Sequence, residues 1–450
     1  MTKINPEIFK SYDIRGLYPE QIDEEIAYKI GLAYAKLVKP KVVVIGNDVR
    51  ECNISMKKEV IQALLDSGVE VIDVGGVATD MIYFAVGHYK YDGGVIISSS
   101  HNEKGWGGIK LVERDVVPIF KDNKMSELKE LVMSEELVSP GLKGKLESKN
   151  IEEDYFDFLL SFVEVASLKP VKIAADANFG LNGRILEKMV EIKKLPIEIV
   201  PLNFEPNENF PKGRPDPMRL ERRDEILELT KTSKADFGLA WDADGDRIFF
   251  CDNAGTFYET AYVTALMLQS LFTKKLSQKA FHDVRAKGVI KKVAEENGVE
   301  LLETVVGRTF IMDLMRKENI YFGSEGSGHY FFQDGFYADN GMIPFLLIWE
   351  IISKSGKSFQ ELLKKYTEDV FMSGEFNTEV KDQSEKIKEV GEVYKDGEVS
   401  HLDGVTVEYP DWRFNLRASN TEPLIRCNVE GNSPELVAEK KKELVELLSK

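Results

Sequence analysis

A chain of 450 residues, 43% of them hydrophobic, exceeds the ~250 residues at which a single core stops growing, so three or four packed domains are expected. Its 76 acidic against 59 basic residues leave a formal net charge of −17 and no basic block, which argues against nucleic acid and anionic membrane surfaces as partners and leaves any anionic small substrate to a local cluster of Arg and Lys. Cys52, Cys251 and Cys427 are odd in number and without any C-x-x-C, residues 1–10 hold no apolar h-region, and the longest apolar run, 344–352, contains Glu350 and falls short of a membrane span; a cytoplasmic, soluble protein is expected.

In chain order, Val42-Val43-Val44-Ile45-Gly46 reads as a strand. A helical pattern over 55–65, a strand over 69–74 and the apolar run that leads to Ser100 complete a β-α-β succession. The succession recurs with a strand over 171–176, a helix over 183–192, a strand over 197–201 and the run 236–241. It recurs again with 280–284, a helix to about 297, and strands over 299–306 and 320–323. Three tandem α/β domains follow, each offering a loop at the end of a strand. From about 371 the texture changes to short alternating runs, 404–409 and 412–417, before a closing helix started by Ser433-Pro434, which describes a smaller α+β unit. The domains are expected over 1–148, 149–253, 254–368 and 369–450. The Pro-rich piece 205–217 is a loop inside the second.

Four stretches carry chemistry. Ser98-Ser99-Ser100-His101-Asn102 closes the strand Gly94-Val95-Ile96-Ile97 and precedes the glycines of 103–110, at the strand end where open α/β sheets place ligands; the alternative is a plain Ser/Asn turn. Asp242-Ala243-Asp244-Gly245-Asp246-Arg247 also ends an apolar strand. Alternate carboxylates on an extended segment diverge, so the three reach one centre only if the backbone curls, which Gly245 permits. Arg247 and Asn253 stand where an EF-hand-like loop would want Gly and Glu, and three carboxylates with room for water and a phosphate oxygen suit Mg2+. Gly323-Ser324-Glu325-Gly326-Ser327-Gly328-His329 has the inventory to hold sugar hydroxyls, with His329 able to act as acid or base. Arg417-Ala418-Ser419-Asn420-Thr421, with Arg426, sets hydroxyls and backbone N–H groups between guanidinium groups, a phosphate cradle.

Together with Tyr12-Asp13-Ile14-Arg15-Gly16 and Lys110, these ordered motifs resemble the signature loops of the α-D-phosphohexomutase family over nearly the whole chain. The resemblance implies four domains around a central cleft, three α/β with mixed sheets and one smaller, and the interconversion of hexose 1-phosphates and 6-phosphates through a phosphoserine and Mg2+. Asn420 favours the phosphomannomutase/phosphoglucomutase branch over phosphoglucosamine mutases, which remain the alternative. Glu103, Gly326 and Arg308 depart from common family choices, which leaves the preferred sugar open.

On this resemblance the catalytic set is Ser100, His101, Arg15, Lys110 and His329, and the metal set Ser100, Asp242, Asp244 and Asp246. Tyr12, Arg247, Gly307, Arg308, Glu325, Ser327, His329, Arg417, Ser419, Asn420, Thr421 and Arg426 bind substrate. His329, Lys110 and Arg15 are the candidates to take the proton of the attacking sugar hydroxyl, imidazole being chemically the best suited. A hexose 1,6-bisphosphate is the expected intermediate and activator, hinging of the fourth domain the expected gate, and a monomer or homodimer the expected assembly. The rival is a Mg2+-dependent sugar-phosphate phosphatase using the same Ser100. Serine-hydrolase chemistry is disfavoured, because adjacent Ser100 and His101 would diverge on an extended strand and no orienting acid is evident.

Overall fold

The computed structural model describes residues 4–274, 278–419 and 424–449. They form two compact units, one of Met1–Phe257 with His329–Gly356 and one of Tyr258–Gly328 with Lys357–Lys450.

The first unit holds two mixed sheets. One runs in the order Ile14–Leu17, Trp106–Glu113, Gly93–Ile97, Val42–Asn47, Glu70–Gly76, Lys145–Ser148. Its four strands Gly93–Ile97, Val42–Asn47, Glu70–Gly76 and Lys145–Ser148 pair in parallel, and Trp106–Glu113 and Ile14–Leu17 add antiparallel. Gly93–Ile97 is buried on both faces, as its unbroken apolar run requires. The helix Glu51–Asp66 lies where the apolar period places it. The helix Thr79–Tyr89 is absent from the sequence reading: Thr79 to Gly87 are all buried, so it lacks the polar face that makes a helical period visible.

The second sheet orders Phe257–Tyr258, Ile248–Asp252, Phe237–Trp241, Val171–Asp176 and Ile197–Leu202. Val171–Asp176 pairs in parallel on both sides, whereas Phe237–Trp241 and Ile248–Asp252 form an antiparallel hairpin with Trp241 opposite Ile248. Residues 242–247 are therefore the hairpin's connection. The apolar run 344–352 lies within the helix Ile343–Ser355. Its Glu350 is buried and accepts the N–H of Glu164 (2.8 Å) and an ammonium hydrogen of Lys354 (2.7 Å), so the charge inside the run is a satisfied core residue.

In the second unit, Glu300–Thr304, Lys279–Asp283 and Phe322–Glu325 pair in parallel. The C-terminal sheet is antiparallel, with Leu424–Gly431 between Trp412–Ala418 and both Phe371–Met372 and Phe376–Glu379. Ser433 caps the closing helix Pro434–Leu448, its hydroxyl accepting the N–H of Leu436, and Pro434 takes the first turn, as the Ser-Pro pair predicts. Glu430 accepts the N–H groups of Lys287 and Gly288 at the start of the helix Gly288–Glu296 while gripping the buried Arg413 (2.8 Å). That ion cluster joins the C-terminal sheet to the preceding α/β layer. No helix among the described residues is long and apolar enough to cross a membrane.

Candidate active site

Beyond Ile97 the chain leaves the sheet. Ser98 still donates its N–H to Gly108 O (2.9 Å), an approach so close that a Cβ at Gly108 would lie 2.4 Å from Ser98's carbonyl oxygen. Ser100 then takes a left-handed backbone, φ +53°, costing about 1–2 kcal/mol in a residue with a Cβ. Two contacts hold it there: its N–H donates to Ser98 Oγ (2.9 Å), and its carbonyl accepts from Arg50 Nη2 (2.9 Å), a buried guanidinium paired with Asp48. Ser99 is turned to Trp106 O (2.9 Å) and Ser98 to Asp244 (3.0 Å). The hydroxyl of Ser100 lies 3.3 Å from Asp242 Oδ2 and 3.0 Å from His101 Nδ1.

That last distance corrects the expectation that Ser100 and His101 diverge. The argument assumed an extended strand, and the left-handed turn at Ser100 folds the two side chains together. Burial first, then the guanidinium groups of Arg247, Arg214 and Arg15, hold the His101 imidazole neutral, with a pKa well below its ordinary value.

Gly245, φ +74°, curls the hairpin connection so that Asp242, Asp244 and Asp246 each bring one carboxylate oxygen within 4.8 Å of the others, all buried. Asp244 Oδ2 accepts from Thr79 Oγ1 (2.6 Å), Ser98 Oγ (3.0 Å) and Lys110 Nζ (2.6 Å), and Lys110 also reaches Asp246 Oδ2 (2.8 Å). Burial alone would raise Asp244, but Lys110 and these hydrogen bonds outweigh it and hold the carboxyl below its usual range. Asp242, raised by burial and by Asp246 and Asp244, and Asp246, raised by burial and by Asp244, are pushed up. Asp244 Oδ1 and Asp246 Oδ1 have no hydrogen-bond partner among the described residues. Buried, orphaned anionic oxygens beside a third carboxylate are the donor set a hard divalent cation takes, so the residues fit Mg2+.

Cations surround this centre within the first unit. Arg15 donates to Asn102 Oδ1 (2.6 Å) and pairs with Asp13. Tyr12 is half-buried in the turn before Ile14–Leu17. Arg247 gives its backbone N–H to Asp242 Oδ1 (3.2 Å) and its Nε–H to His329 Nε2 (3.0 Å), with Asp216 3.8 Å from its Nη1. Arg214, on the Pro-rich loop, escaped the sequence reading. Burial and its neighbours Arg247, Arg219 and Arg15 hold its pKa below the usual value, so it belongs to the same cationic group.

The second unit carries the remaining residues. Glu325 Oε1 accepts the N–H of Gly307 (2.8 Å), Ser327 donates to Glu325 Oε2, and Arg308 is buried in the first turn of the helix Arg308–Glu318. Arg417 and Arg426 face each other across the antiparallel pair. Like charges directly opposite are destabilising, and Glu375 resolves the conflict by accepting from Arg417 Nη2 (2.7 Å) and Arg426 Nη1 (3.2 Å). Burial would raise Glu375, but Arg417, Arg285 and Arg426 outweigh it and keep it ionised. The facing arginines were a legible signal that an anion was required; its position in the chain was not. Ser419 N–H donates to Leu424 O (2.9 Å), and Asn420 and Thr421 lie outside the described residues.

Family models described as phosphoglucomutase/phosphomannomutase alpha/beta/alpha domains I, II and III match residues 6–138, 153–255 and 259–370, and the C-terminal domain of the same family matches 375–447. The chain belongs to the phosphoglucomutase/phosphomannomutase family. An Escherichia coli phosphomannomutase is 34% identical over 449 residues, covering 98% of each chain. Among solved structures, a phosphoglucomutase/phosphomannomutase family protein from Burkholderia thailandensis superposes with a TM-score of 0.88 at 26% identity, over 99% of this chain and 97% of that one. At 14% identity and a TM-score of 0.62, an Aspergillus fumigatus N-acetylphosphoglucosamine mutase, solved with GlcNAc-6P and magnesium, shares the fold over 98% of this chain and 95% of its own. The protein is thus a phosphohexomutase, built from three α/β layers and a C-terminal domain.

Proposed function

We propose that this phosphohexomutase moves a phosphoryl group between the 1- and 6-oxygens of mannose or glucose phosphates, with Ser100 as carrier, a hexose 1,6-bisphosphate as intermediate and activator, and Mg2+ at Asp242, Asp244 and Asp246. The observation that carries the reading is the placement of Ser100 Oγ, off the strand end and 3.3 Å from Asp242. When bound, the cation supplies charge neutralisation for the phosphoryl oxygens.

The protein groups do the rest. Arg15, Arg247 and Arg214 offer guanidinium donors to the phosphoryl group as it passes. Lys110 compensates Asp244 and Asp246. The sugar hydroxyl oxygen attacks phosphorus, the bond from phosphorus to Ser100 Oγ breaks, and His329 Nε2 takes the hydroxyl proton. Return of the other phosphate of the bisphosphate to Ser100 reverses these bonds. Glu325, Ser327, Gly307 and Arg308 recognise sugar hydroxyls, and Arg417, Ser419, Asn420, Thr421 and Arg426 the phosphate that is not reacting. Three unpaired cysteines, Cys251 and Cys427 buried, support a cytoplasmic setting.

The test is a coupled isomerisation assay with mannose, glucose and glucosamine 1-phosphates, Mg2+ and a trace of the matching bisphosphate. Ser100→Ala loses turnover and the single phosphate seen by intact mass. Full activity in that variant removes Ser100 from the carrier role. Release of inorganic phosphate without isomerisation would make the protein a phosphatase.

A further inference from the structure

The strand Phe237–Trp241 runs past its parallel neighbour: the register with Val171–Asp176 ends at Asp176 opposite Ala240, one residue short of Trp241. A side chain takes the place of the missing strand. Asn178, wholly buried, donates from Nδ2 to the Trp241 carbonyl oxygen (2.7 Å), and its Oδ1 accepts from Nη2 of the buried Arg222 (2.6 Å). Its backbone sits at φ +45°, a conformation Asn tolerates, braced by its N–H on Asp176 Oδ1 (2.8 Å). A guanidinium only donates and a carbonyl only accepts. One orientation of the amide satisfies both contacts, so Arg222 fixes which end of Asn178 meets the strand. Further along the same segment Asn182 donates to Gly245 O (3.1 Å), so the chain after Asp176 grips the connection 242–247 near both of its ends.

We infer that Asn178 is a positioning residue for the divalent cation: with its amide set by Arg222, it fixes the peptide plane between Trp241 and Asp242 and so aims the Asp242 carboxyl group. The inference rests on the Mg2+ reading given above. A peptide unit is planar, so holding the Trp241 oxygen fixes the direction in which the chain leaves toward the Asp242 Cα. Asp242 Oδ2 lies 3.3 Å from Ser100 Oγ and its carboxyl group belongs to the cluster with Asp244 and Asp246. A tilt of that one plane therefore displaces a ligand of the cation and a neighbour of the phosphoryl carrier together. Asn178 acts through the backbone, as a group that orients a ligand without being one.

Calorimetric titration of Mg2+ into the metal-free protein tests it. Asn178→Asp keeps the shape and the contact with Arg222 but turns a carboxylate oxygen toward Trp241 O, and Mg2+ affinity falls by about 10–100-fold. Asn178→Gly holds a positive φ without strain and removes the amide; it loses about tenfold and serves where the first variant does not fold. In both, the Mg2+ concentration that half-saturates turnover rises by the same factor, while kcat at saturating Mg2+ stays within about threefold of wild type, a split that a merely structural role does not produce. Arg222→Met alone costs about tenfold in Mg2+ affinity, and less than about twofold in the Asn178→Gly background, because the amide it orients is gone. Wild-type Mg2+ affinity in the Asn178 variants overturns the positioning role whatever their melting temperatures, and an equal cost of Arg222→Met in both backgrounds removes Arg222 from it. Failure of the wild type to take up Mg2+ instead overturns the metal assignment on which the inference rests.

Discussion

Lys110→Met removes the ammonium that Asp244 and Asp246 share. Lys110 is 4% exposed and grips two carboxylates at 2.6 and 2.8 Å, with the Asp242 carboxyl group a third in the same cluster. Breaking a buried pair from one side costs about 3–5 kcal/mol, and two short contacts put this case at the upper end, about 4–5 kcal/mol in metal-free protein. For a unit of this size, at roughly 2 °C per kcal/mol, the melting temperature falls by about 8–10 °C. The pH dependence has a defined sign. Lys110 holds Asp244 below its usual pKa against the effect of burial; without it, burial and the neighbouring carboxylates raise Asp244 as they already raise Asp242 and Asp246. Protons then substitute for the missing ammonium, so the deficit is largest at alkaline pH and shrinks toward mildly acidic pH. Saturating Mg2+ acts in the same direction and raises the variant's melting temperature more than the wild type's. Scanning calorimetry with excess chelator and with Mg2+ measures all three. Equal melting temperatures in chelator, or an equal Mg2+ increment in both proteins, would refute the neutralising role of Lys110.

Gly245→Ala puts a Cβ 2.3 Å from Asn182 Oδ1 at φ +74°, so the connection shifts: calorimetric titration shows Mg2+ affinity down at least about tenfold, and stability falls by about 1–3 kcal/mol. Burial first, and then Arg413, hold His282 neutral and pull its pKa from 6.5 to about 4. The unfolded chain takes up that proton first as pH falls, so roughly 3 kcal/mol of stability is lost between about pH 6.5 and 4. His282→Gln flattens that limb of a urea-midpoint profile, and an unchanged slope would assign it elsewhere. Arg417→Lys keeps the charge but loses the fork that meets Glu375, and kcat/KM for sugar phosphate falls by about 10–100-fold, mostly through KM.

The strand ends were legible because they are written locally. Gly94 to Ile97 and Phe237 to Trp241 are unbroken apolar runs that stop at polar residues, and the structure places a chemical group at each stop. The supporting residues were not, because each acts across long sequence separations. Thr79 and Ser98 converge on Asp244 from 165 and 146 residues away, and Glu375 serves arginines 42 and 51 residues on. The turn at Ser100 was hidden for another reason: a positive φ is written in sequence only where Gly or Asn takes it, and here Arg50 enforces it on a serine.

A chain with a net charge of −17 can hold an anionic substrate only through local cations, and in this structure those cations come with internal anions already attached. Arg15 is paired with Asp13, Lys110 with Asp244 and Asp246, Arg285 with Asp283, and Arg417 and Arg426 with Glu375. Burial makes this necessary, because an unpaired guanidinium in a site this enclosed would be unstable before any ligand arrived. On the proposed role of Arg417 and Arg426, an incoming phosphate would compete with Glu375, so the gain on binding would be the difference between two charge-assisted contacts rather than the whole of one. A small difference suits the reaction proposed here. In that reaction the bisphosphate would let go of the cradle with one phosphate and return to it with the other, and a cradle that satisfies its own arginines in between would lower the cost of that release.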